Sequence, residues 1–398
     1  MKSEKRNLST MAYALIIIGI LVGAAIGFGL GYLAYVPRIN SLNSEVNSLD
    51  AEVSLQNSLV TLASNSPFVV GAAGTLKYAF GSVLTTFEGL YPRITVAPAL
   101  FEGSSLVAQT ENTTEQFSLE AAADTTAMPK VLFPKLANYE IAFGQTQMVI
   151  IVNLQSSAGS QLYNMWTASK GLTPMSSQWN QSWRQMFTLI ALNSTTKVGI
   201  SNPFTDPSGY QAAGMIRLAG LTFFANVSYL YSAIYNNPSK YYMANTETNL
   251  VTLMQTQHID FITSAYESNA IPQTGNSTQT HLAYITLPSA VNLGVLSDLS
   301  YYHQANFNYT ELGTTESFVV NPVIYTVTIP IPSTNAAAGD LFIQTLFSQA
   351  GQNILTKNGI TPLSPGIVYG NYTSVPSLIK PLVTEVNATY SSLFPSGS

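Results

Sequence analysis

No residue from Met11 to Val36 is charged, and Pro37-Arg38 closes the run. It is longer than the apolar core of an ordinary signal peptide and, as a helix, long enough to span a bilayer. Next, Ile39, Leu42, Val46, Leu49, Val53, Gln56 and Val60 advance by alternating steps of three and four, set among Asn, Ser, Glu and Gln. That a/d spacing predicts a helical stalk over 38–63, either a coiled coil or a single helix. From Pro67 the pattern changes to alternating strands and helices. "PFVVGAAG" reads as a strand, "TLKYAFGSVLTTFEGL" as an amphipathic helix and "RITVAPAL" as a second strand. "EGSSLVAQ" opens a helix and "FSLEAAAD" is a third strand. This βαβαβ order predicts an α/β fold with a largely parallel sheet. "YEIAFGQTQMVIIVN" (139–153) reads as a long apolar strand pair, and "FVVNPVIYTVTIPI" (318–331) is again long and strand-like. "HIDFITSAYES" is a strand-turn unit, and a helix over "AAAGDLFIQTLFSQAGQNILTKNGI" leads to a polar tail. Two long strand segments around a central block imply two lobes joined by two crossings. The expected division is a cytoplasmic 1–10, an anchor 11–36, a stalk 37–66, lobe 1 from 67–145 plus 321–398, and lobe 2 from 146–320.

Charge sharpens this picture. Only 9% of the 398 residues are charged and the net charge is −5, against roughly 25% charged in ordinary soluble domains. No basic run offers a nucleic-acid footprint. Cysteine is absent, which excludes disulfides, thiolate metal sites and cysteine nucleophiles. Lys2, Lys5 and Arg6 precede the apolar run, so the N-terminus is expected inside and the remainder outside the cell, on a single-pass anchor. Asn-X-Ser/Thr sequons at Asn112, Asn180, Asn193, Asn226, Asn276, Asn308, Asn371 and Asn387 fit a glycosylated exterior. Gly19, Gly23, Gly27 and Gly31 share one face of the apolar run and, with the stalk, offer a route to self-association.

Catalytic patterns are missing. His258, His281 and His303 have no metal-ligand spacing, and neither a Gly-x-Ser-x-Gly elbow nor a phosphate-binding loop occurs. The chain is read as a binding protein, not an enzyme, with no cofactor. Gly74-Thr75 and Gly103-Ser104-Ser105 each place glycine and hydroxyl at a predicted helix start directly after a strand. Free N–H groups and the positive end of the helix dipole favour anions there, although Thr75 and Ser104 are also ordinary capping residues. Asp206-Pro207 in "SNPFTDPSGYQAAG" is a common helix start, and the residues alone leave Asp206 as cap or ligand.

Taken together, "AGTLKYAF", "NYEIAFGQTQMVI", "ISNPFTDPSGYQA", "IDFITSAYES", "THLAYITLPSAVNLG" and the C-terminal helix resemble, in order over about 68–385, the molybdate/tungstate-binding proteins of archaeal ABC transporters. The resemblance implies a two-lobe, type II periplasmic-binding-protein-like fold that delivers its anion to an ABC permease and its ATPase. It also implies an oxyanion held between the lobes by Thr75 and Ser104, with Asp206 and Glu267 donating oxygen to the molybdenum or tungsten centre. Two carboxylates beside an oxyanion make sense when the central atom is a large, hard metal that accepts further oxygen donors. Ser208 and Gln211 stand where that family often has Cys and Arg, which bears on selectivity. The alternatives are another oxyanion (sulfate, thiosulfate or phosphate), or a structural or receptor-like surface glycoprotein on the same fold.

Overall fold

The computed structural model describes residues 32–275 and 277–394. The chain divides into two units, the first ending at Thr61 and the second beginning at Leu62. Helix α1 (Tyr32–Ala63) carries the stalk. It takes in Tyr32–Val36 and passes Pro37 unbroken. Proline holds φ at a helical value and forfeits one N–H bond, too little to end this helix. The rest of the expected anchor and the glycine seam lie outside the described residues. Among those described, no helix is long and apolar enough to cross a membrane.

In chain order the second unit runs β1 (Val70–Ala73), α2 (Lys77–Leu90), β2 (Leu100–Glu102), α3 (Ser104–Thr114), β3 (Leu119–Ala122), α4 (Ala127–Leu132) and β4 (Tyr139–Thr146). It continues with β5 (Met148–Asn153), α5 (Ser157–Ser169), α6 (Ser177–Ala191), β6 (Val198–Ser201), α7 (Pro207–Phe224), α8 (Tyr229–Tyr235), β7 (Tyr241–Ala244) and α9 (Glu247–Gln255). After β8 (Phe261–Tyr266), α10 (Glu267–Thr274) and β9 (Leu282–Thr286) comes a hairpin, β10 (Phe307–Glu311) and β11 (Thr314–Phe318). It ends with β12 (Val323–Thr328), α11 (Ala336–Phe347), α12 (Gln349–Lys357), β13 (Thr361–Gly370) and β14 (Val383–Glu385).

Two main sheets result. One has the order β14-β13-β4-β12-β3-β1-β2, the other β7-β6-β8-β5-β9. The chain passes between them at Gln147, between β4 and β5. The sheets are mixed, correcting the expectation of a largely parallel one. β1, β2 and β3 pair in parallel, but β12 runs antiparallel to both β3 and β4. Likewise β6, β7 and β8 pair in parallel, while β5 opposes β8 and β9.

Three further differences have local causes. Of "RITVAPAL", only Val96 bridges to Phe68, and the strand proper is β2, beyond Pro98, which has no N–H to give a ladder. The long segment 318–331 divides at Asn321-Pro322 into β11 and β12. The C-terminal helix divides at Ser348, whose side chain accepts from Gly351 N to start α12. The expected polar tail instead supplies β13 to the sheet and buries Leu393 and Phe394.

Under the first sheet, Phe68, Phe80 and Phe87 pack on Phe342 of α11. In the second half, Trp183 and Phe187 of α6 stack on Phe223 of α7, with Trp179 set edge-on to Trp183. Trp166 of α5 donates to the Thr286 carbonyl of β9 (3.1 Å). Between the first sheet and α3–α4 lies a layer of acids. Glu111, Glu120, Asp124 and Glu140 are all buried. Neither carboxyl oxygen of Glu120 or Glu140 has a hydrogen-bond partner of normal geometry. Thr326 Oγ1, beside Glu140, gives its proton to the Asp124 carbonyl instead (2.9 Å).

Candidate functional site

The parallel strands of both halves present their carboxyl ends to one cleft. β1 leads through a 3-10 turn, Gly74–Leu76, into α2, and β2 leads through Gly103 into α3. From the other side β6 leads to α7, β7 to α9 and β8 to α10. Helices α9 and α10 both pack against the Gly74–Leu76 turn. The halves meet closely here: a Cβ on Gly103 would lie 2.2 Å from the Thr205 carbonyl oxygen, so only glycine fits. Helix starts carry unpaired N–H groups and partial positive charge, and several face this cleft.

Three of the four expected site residues sit in it. Thr75 is buried, and its Oγ1 has no hydrogen-bond partner of normal geometry. Its neighbour Tyr325 commits its hydroxyl to Ser268 Oγ at 2.6 Å. Ser104 is buried at the first turn of α3, and its Oγ accepts from Ala123 N (2.9 Å). Asp206, also buried, is the N-cap of α7. Its Oδ1 accepts from Ser208 N (3.0 Å), and its Oδ2 accepts from Ser208 Oγ (3.0 Å) and Glu247 N (3.1 Å). The cap is thus real, and the same carboxylate also holds the start of α9.

Glu267, at the start of α10, is half-buried, and its carboxylate is turned to Gln147. Gln147 Nε2 donates to Glu267 Oε2 (2.8 Å), while Glu267 N donates to the Gln147 carbonyl (2.9 Å). Burial, and then the adjoining Glu267, push the Tyr284 phenol up. The crossing residue between the sheets therefore holds Glu267 in place.

The carboxyl that faces the Gly74 turn is Glu247, which the sequence did not single out. It is buried, its Oε1 has no hydrogen-bond partner, and that oxygen lies 3.5 Å from where a Cβ on Gly74 would stand. Burial first, and then Asp206 beside it, push its carboxyl well above the ordinary value. The available signal was Thr246-Glu247 at the start of a helical run directly after "YYMA", the same strand-then-cap order as at Asp206. Two more bonds tie the halves: Tyr210 Oη to Asp124 Oδ2 (3.0 Å) and the Ser268–Tyr325 pair. Gln211 accepts from the Tyr266 hydroxyl. Among the described residues no group of three or more His, Asp or Glu is arranged to hold a metal ion.

A family model for bacterial extracellular solute-binding proteins matches residues 68–361. The chain belongs to that family. This solute-binding protein is 24% identical over 345 residues to the molybdate/tungstate-binding protein WtpA of Thermococcus kodakarensis, covering 81% of this chain and 89% of that one. It is also 24% identical over 299 residues to an uncharacterized solute-binding protein of Petrotoga mobilis, covering 75% and 84%. Among solved structures it is similar to the sulfate-binding protein SubI of Mycobacterium tuberculosis, with a TM-score of 0.50 at 11% identity over 83% of this chain and 92% of that one. That likeness is one of fold: the solute-binding protein has a mixed α/β, two-sheet, periplasmic-binding-protein-like architecture.

Proposed function

We propose that this solute-binding protein captures tungstate or molybdate in the cleft between the two sheets and delivers it to an ABC permease and its ATPase. The observation that carries the reading is Thr75. A buried hydroxyl without a hydrogen-bond partner of normal geometry, at the helix start of the Gly74 turn and opposite two adjoining carboxyls, suits an oxygen-rich guest whose central atom accepts oxygen donors. The 24% identity to WtpA over most of both chains supports the same ligand class. In this reading Thr75 and Ser104 hold the anion's oxygens, Asp206 donates to its metal, and Glu267 joins as a second donor on giving up Gln147. Residues 11–36 anchor the protein with its N-terminus inside. Asn112, Asn193, Asn226, Asn308, Asn371 and Asn387, exposed on the surface, and the half-buried Asn180 are the glycan acceptors among the described residues; Asn276 lies outside them.

Thermal unfolding of the purified chain against an anion panel tests this. A ligand at 100 times its Kd adds about 2.7 kcal/mol, so tungstate and molybdate should raise Tm clearly while sulfate, thiosulfate and phosphate leave it in place. A shift with sulfate or phosphate alone would replace the ligand. A flat panel would favour a surface glycoprotein that does not transport.

A further inference from the structure

The stalk helix presents an apolar line to solvent. Leu42, Val46, Leu49 and Val53 are 49%, 52%, 54% and 58% exposed, far more than a helix buried against a core allows. Their steps of four, three and four put them on one face as d, a, d and a of a heptad. In sequence the register extends to Ile39 and Val60, both at a, so every a position is β-branched and the first two d positions are leucine. Valine or isoleucine at a with leucine at d packs two parallel strands better than three or four, because each side chain then meets its hole in a low-energy rotamer. The flanks exclude a lipid surface as the occupant. From 39 to 63 there is no Lys or Arg, while Glu45, Asp50 and Glu52 border the seam, and an acidic helix is repelled by anionic headgroups.

We infer that this face is covered by the same face of a second copy, in a parallel, in-register, two-stranded coiled coil through Val46 and Val53 at a and Leu42 and Leu49 at d. In that pairing Glu45 at g of one copy faces Asp50 at e of the other. The like charges weaken the dimer in low salt and are screened as salt rises. The inference is independent of what the cleft binds.

Because the full chain contains no cysteine, a single introduced thiol reports its own neighbour. Val46→Cys, Leu49→Cys and Val53→Cys, each made alone in the full chain and mildly oxidised, should each give a disulfide-linked dimer. Ala51→Cys and Ser48→Cys, on the outer face, should not. Adding Leu49→Asp to Val53→Cys should lower the cross-linked fraction at least tenfold, and 0.5 M salt should raise it in the Val53→Cys variant. Cross-linking at only one seam position would indicate an antiparallel pair. Equal cross-linking at inner and outer positions would indicate unspecific collision, and none would indicate a single helix. Each of these overturns the inference, as does a trimer by mass. Anion binding by the cleft is read separately in the same variants.

Discussion

Asp206 is a helix cap and, in the proposed reading, also a donor to the anion's metal, and the two roles come apart on substitution. As a cap it accepts from Ser208 N, and Asn caps about as well as Asp. As a donor to a metal centre it needs its charge. Asp206→Asn should therefore keep the α7 cap, lower Tm through the lost bond from Glu247 N, and weaken tungstate binding on the order of 10- to 100-fold, the worth of a charge-assisted contact of roughly 1.5–3 kcal/mol. Calorimetry on Asp206→Asn, Glu247→Gln and Glu267→Gln tests whether each of these acids contributes to the proposed site. Unchanged affinity in Asp206→Asn returns that residue to capping alone. Glu247→Gln should weaken tungstate by a similar factor, since the carboxyl before Gly74 is lost without loss of volume. Sulfate, which has no use for a donor, should bind better with the Asp206 charge removed. Asp206 was legible in the sequence because Asp-Pro marks a helix start within a few residues. Glu247 was not, because its importance arises from β7 lying beside β6, a pairing that brings it to Asp206 from 41 positions away.

Among elements, strands followed by helices were readable: β1, α2, α3 and β3 all stand where the hydrophobic pattern put them. What local pattern could not supply was partnership. The tail after Lys357 looks polar because β13 exposes part of its length, yet it pairs with β4 through Tyr369 and Gly370. Mixed pairing was hidden for the same reason, since β12 reads as a buried strand whichever way it runs. The contact between the α3 start and the loop before α7 leads to a sharp expectation. Gly103→Ala would put a methyl 2.2 Å from the Thr205 carbonyl oxygen, so the two helix starts must separate. Tungstate affinity should fall by about tenfold or more, and small-angle scattering should report a larger radius of gyration with ligand than for the unsubstituted chain. Unaltered affinity and radius would show that the cleft works without this approach.

Across the whole molecule, the buried acids set the response to pH. Burial raises the carboxyls of Glu111 and Asp124, and raises those of Glu120 and Glu140 well above 4.5, with Glu111 acting further on Glu120 and Asp124 on Glu140. Burial also lifts Asp340 of α11, beside Tyr139, to about 7. The folded state holds protons that the unfolded chain releases. The stability these groups contribute is therefore full below their ordinary values near 4, and is lost as pH rises through the folded values, Asp340's near 7. Tm should be higher at pH 4 than at pH 8, by roughly 2–4 °C for each kcal/mol involved. Glu120→Gln with Glu140→Gln should flatten the slope; a Tm that climbs with pH would contradict the assignment. Little of this was readable from composition, which gave the number of acids and not their burial. The three tryptophans have a different bearing. Trp166, Trp179 and Trp183 all belong to α5 and α6, packed around the β5–β9 sheet, and the first sheet's half has none. Tryptophan fluorescence, excited at the red edge where tyrosine does not absorb, is thus the optical signal of one half alone, and set beside far-UV circular dichroism, which sees both, it separates the unfolding of the two halves without any label.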